Sequence, residues 1–122
     1  MTFVGKDSLH IAQFLGGQRN GPCTLESLQR AAISRAYFAA YAHAFHYEVD
    51  NGRYTPRGGV EDHKGLRVHF ANVKKDQDTA SKLEDLRRWR NYCDYHKIFV
   101  GSLSQNVKDA LNFADVIIDR LI

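Results

Sequence analysis

The sequence predicts an all-α protein with four long helices in an up-down bundle and a short N-terminal helix before them. Apolar residues recur at spacings of three and four through most of the chain, and no alternating apolar–polar run indicates a strand. The only prolines, Pro22 and Pro56, leave long segments uninterrupted. At 122 residues the chain has the length of one domain, which we expect to span residues 1–122.

The composition and charge of the chain restrict the classes of protein to which it can belong. The net charge of +3 is compatible with an anionic partner but does not require one. The N-terminal MTFVGKDSLH lacks the basic start and apolar core of a signal peptide, and no apolar run approaches the ~18 residues that span a bilayer. We therefore expect a cytoplasmic protein without membrane association. Cys23 and Cys93 form no zinc-binding spacing with other residues, so we expect neither a metal nor another cofactor.

The first two helices have clear start and stop signals. Asp7 is expected to cap the short first helix, and Gly16–Gly17 to end it. Pro22 and Thr24 open the second helix, which runs without a breaker from Leu25 to Val49. Apolar residues on most of its sides, many of them alanine, predict a central and heavily buried helix.

The third helix is predicted over residues 60–74, after a basic loop at 50–59. Leu66, Phe70 and Val73 have the four-and-three spacing of one buried stripe. His63 and His69 are expected at partly exposed positions.

The fourth helix carries LEDLRRWRNYCDYH, from Leu83 to His96, and the fifth follows a cap at Ser102 or Ser104. The three apolar residues at 98–100 either extend the fourth helix or turn into the core. The fifth helix has the most regular amphipathic stripe of the chain, formed by Val107, Leu111, Ala114, Ile118 and Leu121.

Arg90 has two interpretations. On an ideal helix it lies at the edge of the apolar arc of the fourth helix, and Asp94 and Arg87 lie one turn away on the same face. An arginine to hold a phosphate and a histidine to move a proton are the groups needed for RNA cleavage without metal, and Arg90 and His96 could supply them. The alternative is an ordinary Arg90–Asp94 ion pair.

Arg35 is a second charge in a mostly apolar helix. We expect it to pair with a carboxylate such as Asp94 or Glu84. In the alternative interpretation, Arg35 faces the same cleft as Arg90.

Three motifs occur in order along the chain: AISRAYFAAY at 32–41, HKGL followed by Phe70 at 63–70, and LRRWRNYCDY at 86–95. Together they resemble the HEPN domain, in particular its small prokaryotic single-domain members. The resemblance covers residues 25–120. It implies a helical bundle that commonly dimerises. It also implies a metal-independent endoribonuclease, often a toxin neutralised by an antitoxin of the nucleotidyltransferase type.

The family signature is an arginine, commonly followed by Asn, Asp or His, and then a histidine after four to six intervening residues. Arg90, Asn91 and His96 match it and are the catalytic residues that the resemblance implies. The supporting residues expected around them are Asp94, Arg87, Arg35 and Tyr95.

Helix geometry limits how Arg90 and His96 could act together. On an unbroken helix they are separated by about 9 Å of rise and a third of a turn, so they could not bind one phosphate. Either the helix ends before His96, or a two-fold homodimer brings the residues of two subunits around one cleft.

Two further functions stay open. One is a non-catalytic HEPN module that binds a nucleotide or a nucleotidyltransferase-like partner protein. The other is the helical half of a split nucleotidyltransferase, whose partner chain would supply the catalytic carboxylates. The chain has no Gly-Ser and Asp-x-Asp pair of its own.

Overall fold

A computed structural model describes residues 3–122, which form five helices and no strand. A turn of π-helix, His69–Val73, continues the third helix directly. The helices are α1 (Gly5–Gly17), α2 (Leu25–Asp50), α3 (Glu61–Val68), α4 (Gln77–Tyr95) and α5 (Leu103–Arg120). The predicted fold class, a helical bundle with a short first helix, is confirmed.

Helix α2 is the centre of the bundle and contacts α1, α4 and α5. Thr24 caps it by accepting a hydrogen bond from the amide of Ser27 at 3.1 Å. Alanines at 32, 36, 39, 40 and 44 are fully buried, and their small side chains let the neighbouring helices pack closely on different sides. The predicted central position of this helix is therefore confirmed.

Helix α1 begins earlier than predicted. It starts at Gly5 rather than after Asp7, and Val4 precedes it without a capping side chain. Gly5 packs so tightly against His43 of α2 that a Cβ there would clash with the imidazole ring. This close approach, together with an ion pair from Lys6 to Asp119 of α5 at 2.9 Å, holds the additional first residues in place.

The third helical segment differs from the prediction after Val68. The π-turn adds one residue to the helical repeat, so Val73 moves off the stripe of Leu66 and Phe70 and is 69% exposed. The predicted burial of Val73 is wrong for this reason. His69 is buried rather than partly exposed, because its Nε2 donates a hydrogen bond of 2.7 Å to the buried carboxylate of Glu48.

Helix α4 ends at Tyr95, and the following residues leave the helical conformation. Phe99 turns back onto the core, whereas Ile98 and Val100 on either side of it are exposed. The segment therefore does not extend the fourth helix, and the predicted turn into the core holds for Phe99 but not for its two neighbours.

Helix α5 follows Ser102, whose hydroxyl accepts a hydrogen bond from the amide of Gln105 at 3.2 Å. Its buried positions include Val107, Ala114 and Ile118, as its periodicity predicts. Across residues 3–122, no helix combines the length and the apolar character needed to cross a membrane.

Candidate functional site

Arg90 lies on the face of α4 that turns toward α2, at the edge of the apolar surface formed by Leu83, Leu86 and Cys93. Its guanidinium carbon lies 5.2 Å from the centroid of the Tyr37 ring of α2. Its Nη1 lies 3.6 Å from Oδ2 of Asp94, one turn later on α4. The predicted position of Arg90 and its pairing with Asp94 are therefore both observed.

An open pocket of about 320 Å³ lies beside Arg90. Helix α2 supplies one wall through Ser34, Arg35, Tyr37, Phe38 and Tyr41. His63 of α3, and Arg90 and Asp94 of α4, complete the lining. We call this cavity the Arg90 pocket.

His63 is the histidine that the fold brings to Arg90. Its Nδ1 is hydrogen bonded to the hydroxyl of Tyr37, and its ring stacks on Tyr41 with the centroids 4.1 Å apart. Burial lowers the pKa of His63, and the positive charges of Arg90 and Arg87 lower it further. His63 is therefore held in its neutral form at the wall of an arginine-rich pocket.

Tyr37 keeps its proton in this arrangement. Burial raises the pKa of its hydroxyl to about 12, against the opposing effect of nearby arginines such as Arg67 and Arg90. The protonated phenol has a proton to donate to Nδ1 of His63 when the neutral imidazole carries its own proton on Nε2. Tyr37 thereby fixes the orientation of the imidazole.

Asp94 also helps to position the guanidinium of Arg90. The hydroxyl of Ser34 donates a hydrogen bond of 2.7 Å to Oδ1 of Asp94, while Oδ2 faces Arg90. Nε of Arg90 is buried and has no hydrogen-bond partner among residues 3–122. The guanidinium is thus oriented by its neighbours while part of its donor capacity is unused.

Positive charge around the pocket exceeds negative charge. Arg67 forms an ion pair with Glu84 at 2.7 Å. Arg35 and Arg87 have no carboxylate within ion-pair distance in the described part of the chain. The expected pairing of Arg35 with Asp94 or Glu84 is therefore wrong: its guanidinium carbon lies 4.5 Å above the ring of Phe38, a contact that the i,i+3 spacing on α2 favours.

His96 lies away from the pocket in the single chain. It follows the last residue of α4 in an extended conformation, and its exposed ring stacks on Tyr92 with the centroids 4.2 Å apart. Tyr92 borders a second cavity, of about 300 Å³, on the side of α4 that also carries Trp89. The helix does end before His96, but within one chain this does not bring the imidazole to Arg90.

The other predicted site residues, Asn91, Arg87 and Tyr95, lie near Arg90 on α4 but do not line its pocket. Asn91 follows it on α4 and is half-buried. Arg87 lies one turn before it, half-buried, and its charge acts on His63. Tyr95 is 76% exposed at the last turn of α4.

Arg30 is a site-forming residue that sequence analysis missed. Its Nη1 donates to the carbonyls of Cys93 at 2.8 Å and His96 at 2.7 Å, and its Nη2 donates to the carbonyl of Lys97 at 3.1 Å. One side chain of α2 therefore satisfies three carbonyls at the end of α4 and sets the position of His96. Arg30 and Cys93 are 63 residues apart in sequence, so no local pattern indicates this contact.

Comparison of the chain with models of protein families, with curated protein sequences and with solved structures finds no match. The site is therefore interpreted from its own geometry.

Residues suited to metal binding are not clustered in the part of the chain that the structure describes. No group of three or more His, Cys, Asp or Glu side chains there has an arrangement that could hold a metal ion. Cys93 is buried under α2, and burial raises the pKa of its thiol to about 11, so the protonated form predominates at neutral pH. The chemistry available at the site is that of arginine, histidine, tyrosine and carboxylate side chains.

Five pocket residues were not assigned to the site by sequence analysis: Ser34, Tyr37, Phe38, Tyr41 and His63. His63 belongs to the HKGL motif, and Ser34 and Tyr37 belong to the AISRAYFAAY motif, so each lies inside a segment already singled out. The motifs alone could not show that these side chains converge on Arg90 of the third motif.

Proposed function

We propose that this chain is a metal-independent endoribonuclease of the HEPN type, acting in the cytoplasm as the toxin of a toxin–antitoxin or defence system. The observation that supports the proposal is the position of the Arg90 guanidinium and its surroundings. This guanidinium lines an open, arginine-rich pocket and is oriented there by Asp94 and Tyr37. A pre-oriented guanidinium at an open pocket is suited to bind a phosphate.

The reaction assigned to the site is transesterification of RNA. The ribose 2′-oxygen attacks the phosphorus and the bond from phosphorus to the 5′-oxygen breaks, which leaves a 2′,3′-cyclic phosphate and a 5′-hydroxyl. Arg90 stabilises the charge that develops on the non-bridging phosphoryl oxygens. One His96 accepts the proton of the 2′-hydroxyl, and a second His96 protonates the departing 5′-oxygen. Asn91 helps to orient the phosphate.

This mechanism requires two copies of the chain. Arg90 and His96 lie on different sides of α4, so one chain does not present both groups to one phosphate. A two-fold homodimer would place two Arg90 and two His96 side chains around a shared cleft. The exposure of His96 and Tyr95 at the end of α4 leaves both side chains accessible to a second copy.

The test is cleavage of a fluorescent single-stranded RNA by the purified chain in buffer containing EDTA. We expect the wild type to release products with a 2′,3′-cyclic phosphate, and Arg90→Ala and His96→Ala to lose at least about a hundredfold in rate. Arg88→Ala and His10→Ala are the matched controls, because Arg88 is on the same helix but exposed and His10 is exposed on α1. Equal cleavage by all five proteins would contradict the assignment of the site.

The second candidate is a non-catalytic HEPN module that binds a nucleotide, or a partner such as an antitoxin of the nucleotidyltransferase type. The separation of His96 from Arg90 within the chain favours it, because binding requires the arginine pocket but not the histidine. Under this candidate the chain binds RNA or nucleotide through Arg90, cleaves no RNA, and is insensitive to His96→Ala.

A further inference from the structure

We infer that His63 is a phosphate-binding residue: its Nε2–H and the guanidinium of Arg90 together hold one phosphodiester of bound RNA in the Arg90 pocket. This inference rests on the proposed function, because it takes RNA as the ligand. It adds a residue from α3 that lies outside the Arg90–His96 pair. It also gives His63 a different role from His96, that of a hydrogen-bond donor rather than a group that transfers protons.

The hydrogen bond from Tyr37 determines which imidazole nitrogen carries the proton. We assign the phenol as the donor in this bond, so a neutral His63 carries its proton on Nε2, whereas the reverse direction would place it on Nδ1. Because His63 lines the pocket and its Nδ1 is turned to α2, Nε2–H is the ring group available to a ligand. A neutral imidazole with a fixed N–H donor suits an anion acceptor such as a phosphoryl oxygen.

The packing around His63 restricts the ring to this orientation. Tyr41 stacks on it at 4.1 Å between centroids, with only 11° between the ring planes. The backbone carbonyl of His63 accepts a hydrogen bond of 2.9 Å from Arg67, which in turn is paired with Glu84 of α4. The imidazole is therefore pre-organised, and little rotamer entropy is lost when a ligand binds.

The charges at the pocket favour an anion. Arg35 and Arg90 line the pocket, and the positive charges of Arg90, Arg87 and Arg67 act on His63 at its wall. Asp94 is the carboxylate of the pocket lining, and it is engaged by Ser34 and Arg90. The positive charge that this carboxylate does not neutralise would attract the single negative charge of a phosphodiester.

The volume and lining of the pocket suit a nucleotide unit of single-stranded RNA. Its volume of about 320 Å³ falls in the range of small-ligand sites. Phe38 lines the pocket and is 40% exposed, and because the guanidinium of Arg35 covers one face of its ring, a base would stack on this Arg35–Phe38 pair. Aromatic surface beside a phosphate site is a feature of single-strand recognition, which favours RNA over a free phosphate.

The experiment uses a fluorescent 2′-O-methyl RNA oligonucleotide, which has phosphodiesters but no 2′-hydroxyl and so cannot be cleaved by the proposed reaction. Binding to the full chain is measured by fluorescence anisotropy. We expect His63→Ala to weaken binding by about tenfold, since one hydrogen bond to a charged group is lost. His63→Gln, whose side-chain amide can replace the Nε2–H donor, should stay within about threefold of wild type. The control, His10→Ala, should bind like wild type.

Nitrogen NMR of the histidine side chains supplies the readout that a structural role would not change. In the free wild type, His63 should show a protonated Nε2 and an unprotonated Nδ1, and Nε2 should shift when the oligonucleotide binds. In Tyr37→Phe the loss of the hydroxyl should mix the two tautomers. These results, with the rescue by glutamine, support the inference.

Any one of three results would overturn the inference. The first is no binding of the oligonucleotide by the wild type, and the second is binding by His63→Ala that is as tight as that of the wild type. The third is an equal loss of affinity in His63→Ala and His63→Gln. Failure of the proposed function is a separate observation, because it is measured as an absence of cleavage of unmodified RNA. If the wild type cleaves unmodified RNA and His63→Ala binds the probe as tightly as the wild type, only this inference is contradicted.

Discussion

The hydroxyl of Tyr37 on α2 is hydrogen bonded to Nδ1 of His63 on α3, and this bond joins two of the three sequence motifs. Arg90 from the third motif lies over the ring of the same tyrosine at 5.2 Å. The three segments that stand out in the sequence therefore meet at one place. Tyr37 is the residue in contact with both of the others.

The first prediction concerns the electrostatic coupling of Arg90 and His63. The positive charge of Arg90 lowers the pKa of His63, after burial as the main cause, so Arg90→Met should move that pKa upward, toward the ordinary value of 6.5. The measurement is an NMR titration of the His63 ring protons. Arg88→Met removes a charge from the exposed face of the same helix and should leave the titration unchanged. Identical curves for the two variants would show that Arg90 does not act on His63.

The second prediction concerns the end of α4. Arg30→Ala removes the donor to three carbonyls, those of Cys93, His96 and Lys97. We expect it to lower the free energy of unfolding by about 2 kcal/mol, because one partly buried carbonyl and two exposed carbonyls lose their charged donor. Amide hydrogen exchange at 93–97 should accelerate more than exchange in the rest of α4. Arg88→Ala serves as the control, and uniform acceleration along the helix would contradict a local capping role.

The third prediction explains the glycine of the HKGL motif. A Cβ on Gly65 would lie 2.5 Å from the hydroxyl oxygen of Tyr54, which donates a hydrogen bond of 2.8 Å to Asp62. Gly65→Ala should displace Tyr54 and cost about 2 kcal/mol of stability through loss of this bond. Gly17→Ala, at a position with open space around it, should change stability by less than 1 kcal/mol. Urea denaturation measures both, and equal stability of the two variants would show that Tyr54 adjusts without loss.

The fourth prediction concerns the buried carboxylate of Glu48, which is fully inaccessible to solvent. It accepts hydrogen bonds from His69 at 2.7 Å and Lys74 at 3.0 Å, and Arg53 lies 3.6 Å away. Glu48→Gln should lower the free energy of unfolding at pH 7 by about 3 kcal/mol, since it leaves buried donors without their anion. The exposed Glu61→Gln is the control.

The stabilisation from Glu48 should depend on pH in a defined direction. Burial alone would raise the pKa of Glu48, but the hydrogen bonds and charges of His69 and Lys74 lower it below the ordinary 4.5. The unfolded chain therefore binds the proton more readily, so the contribution is present above pH 4.5 and lost as the pH falls through the folded-state pKa. In urea denaturation, the difference between wild type and Glu48→Gln should shrink below pH 4.5. A constant difference from pH 7 to pH 3 would contradict this account.

Much of the fold could be predicted because local patterns determine it. The absence of helix breakers between Leu25 and Val49 predicts α2, and apolar residues spaced alternately four and three apart predict α5. Val73 was placed wrongly because the prediction assumed a regular α-helix, whereas a π-turn precedes Lys74. The burial of Glu48 has no local signal, since its partners His69 and Lys74 are 21 and 26 residues away.

The candidate site could be predicted only in part. The pairing of Arg90 with Asp94 follows from one turn of helix and is observed. The contact between Tyr37 and His63 links two helices and depends on how they pack, which periodicity does not give. His96 follows the last residue of α4, and its stacking on Tyr92 depends on where α4 stops, which the sequence does not determine.

The central claim is that the guanidinium of Arg90 contacts an RNA phosphate, and the most direct measurement compares Arg90→Ala with Arg88→Ala in binding the 2′-O-methyl oligonucleotide. Both variants lose one positive charge from the same helix, so their long-range electrostatics change by the same amount. We predict binding at least about tenfold weaker for Arg90→Ala and within about twofold of wild type for Arg88→Ala. Equal weakening in the two variants would contradict the claim.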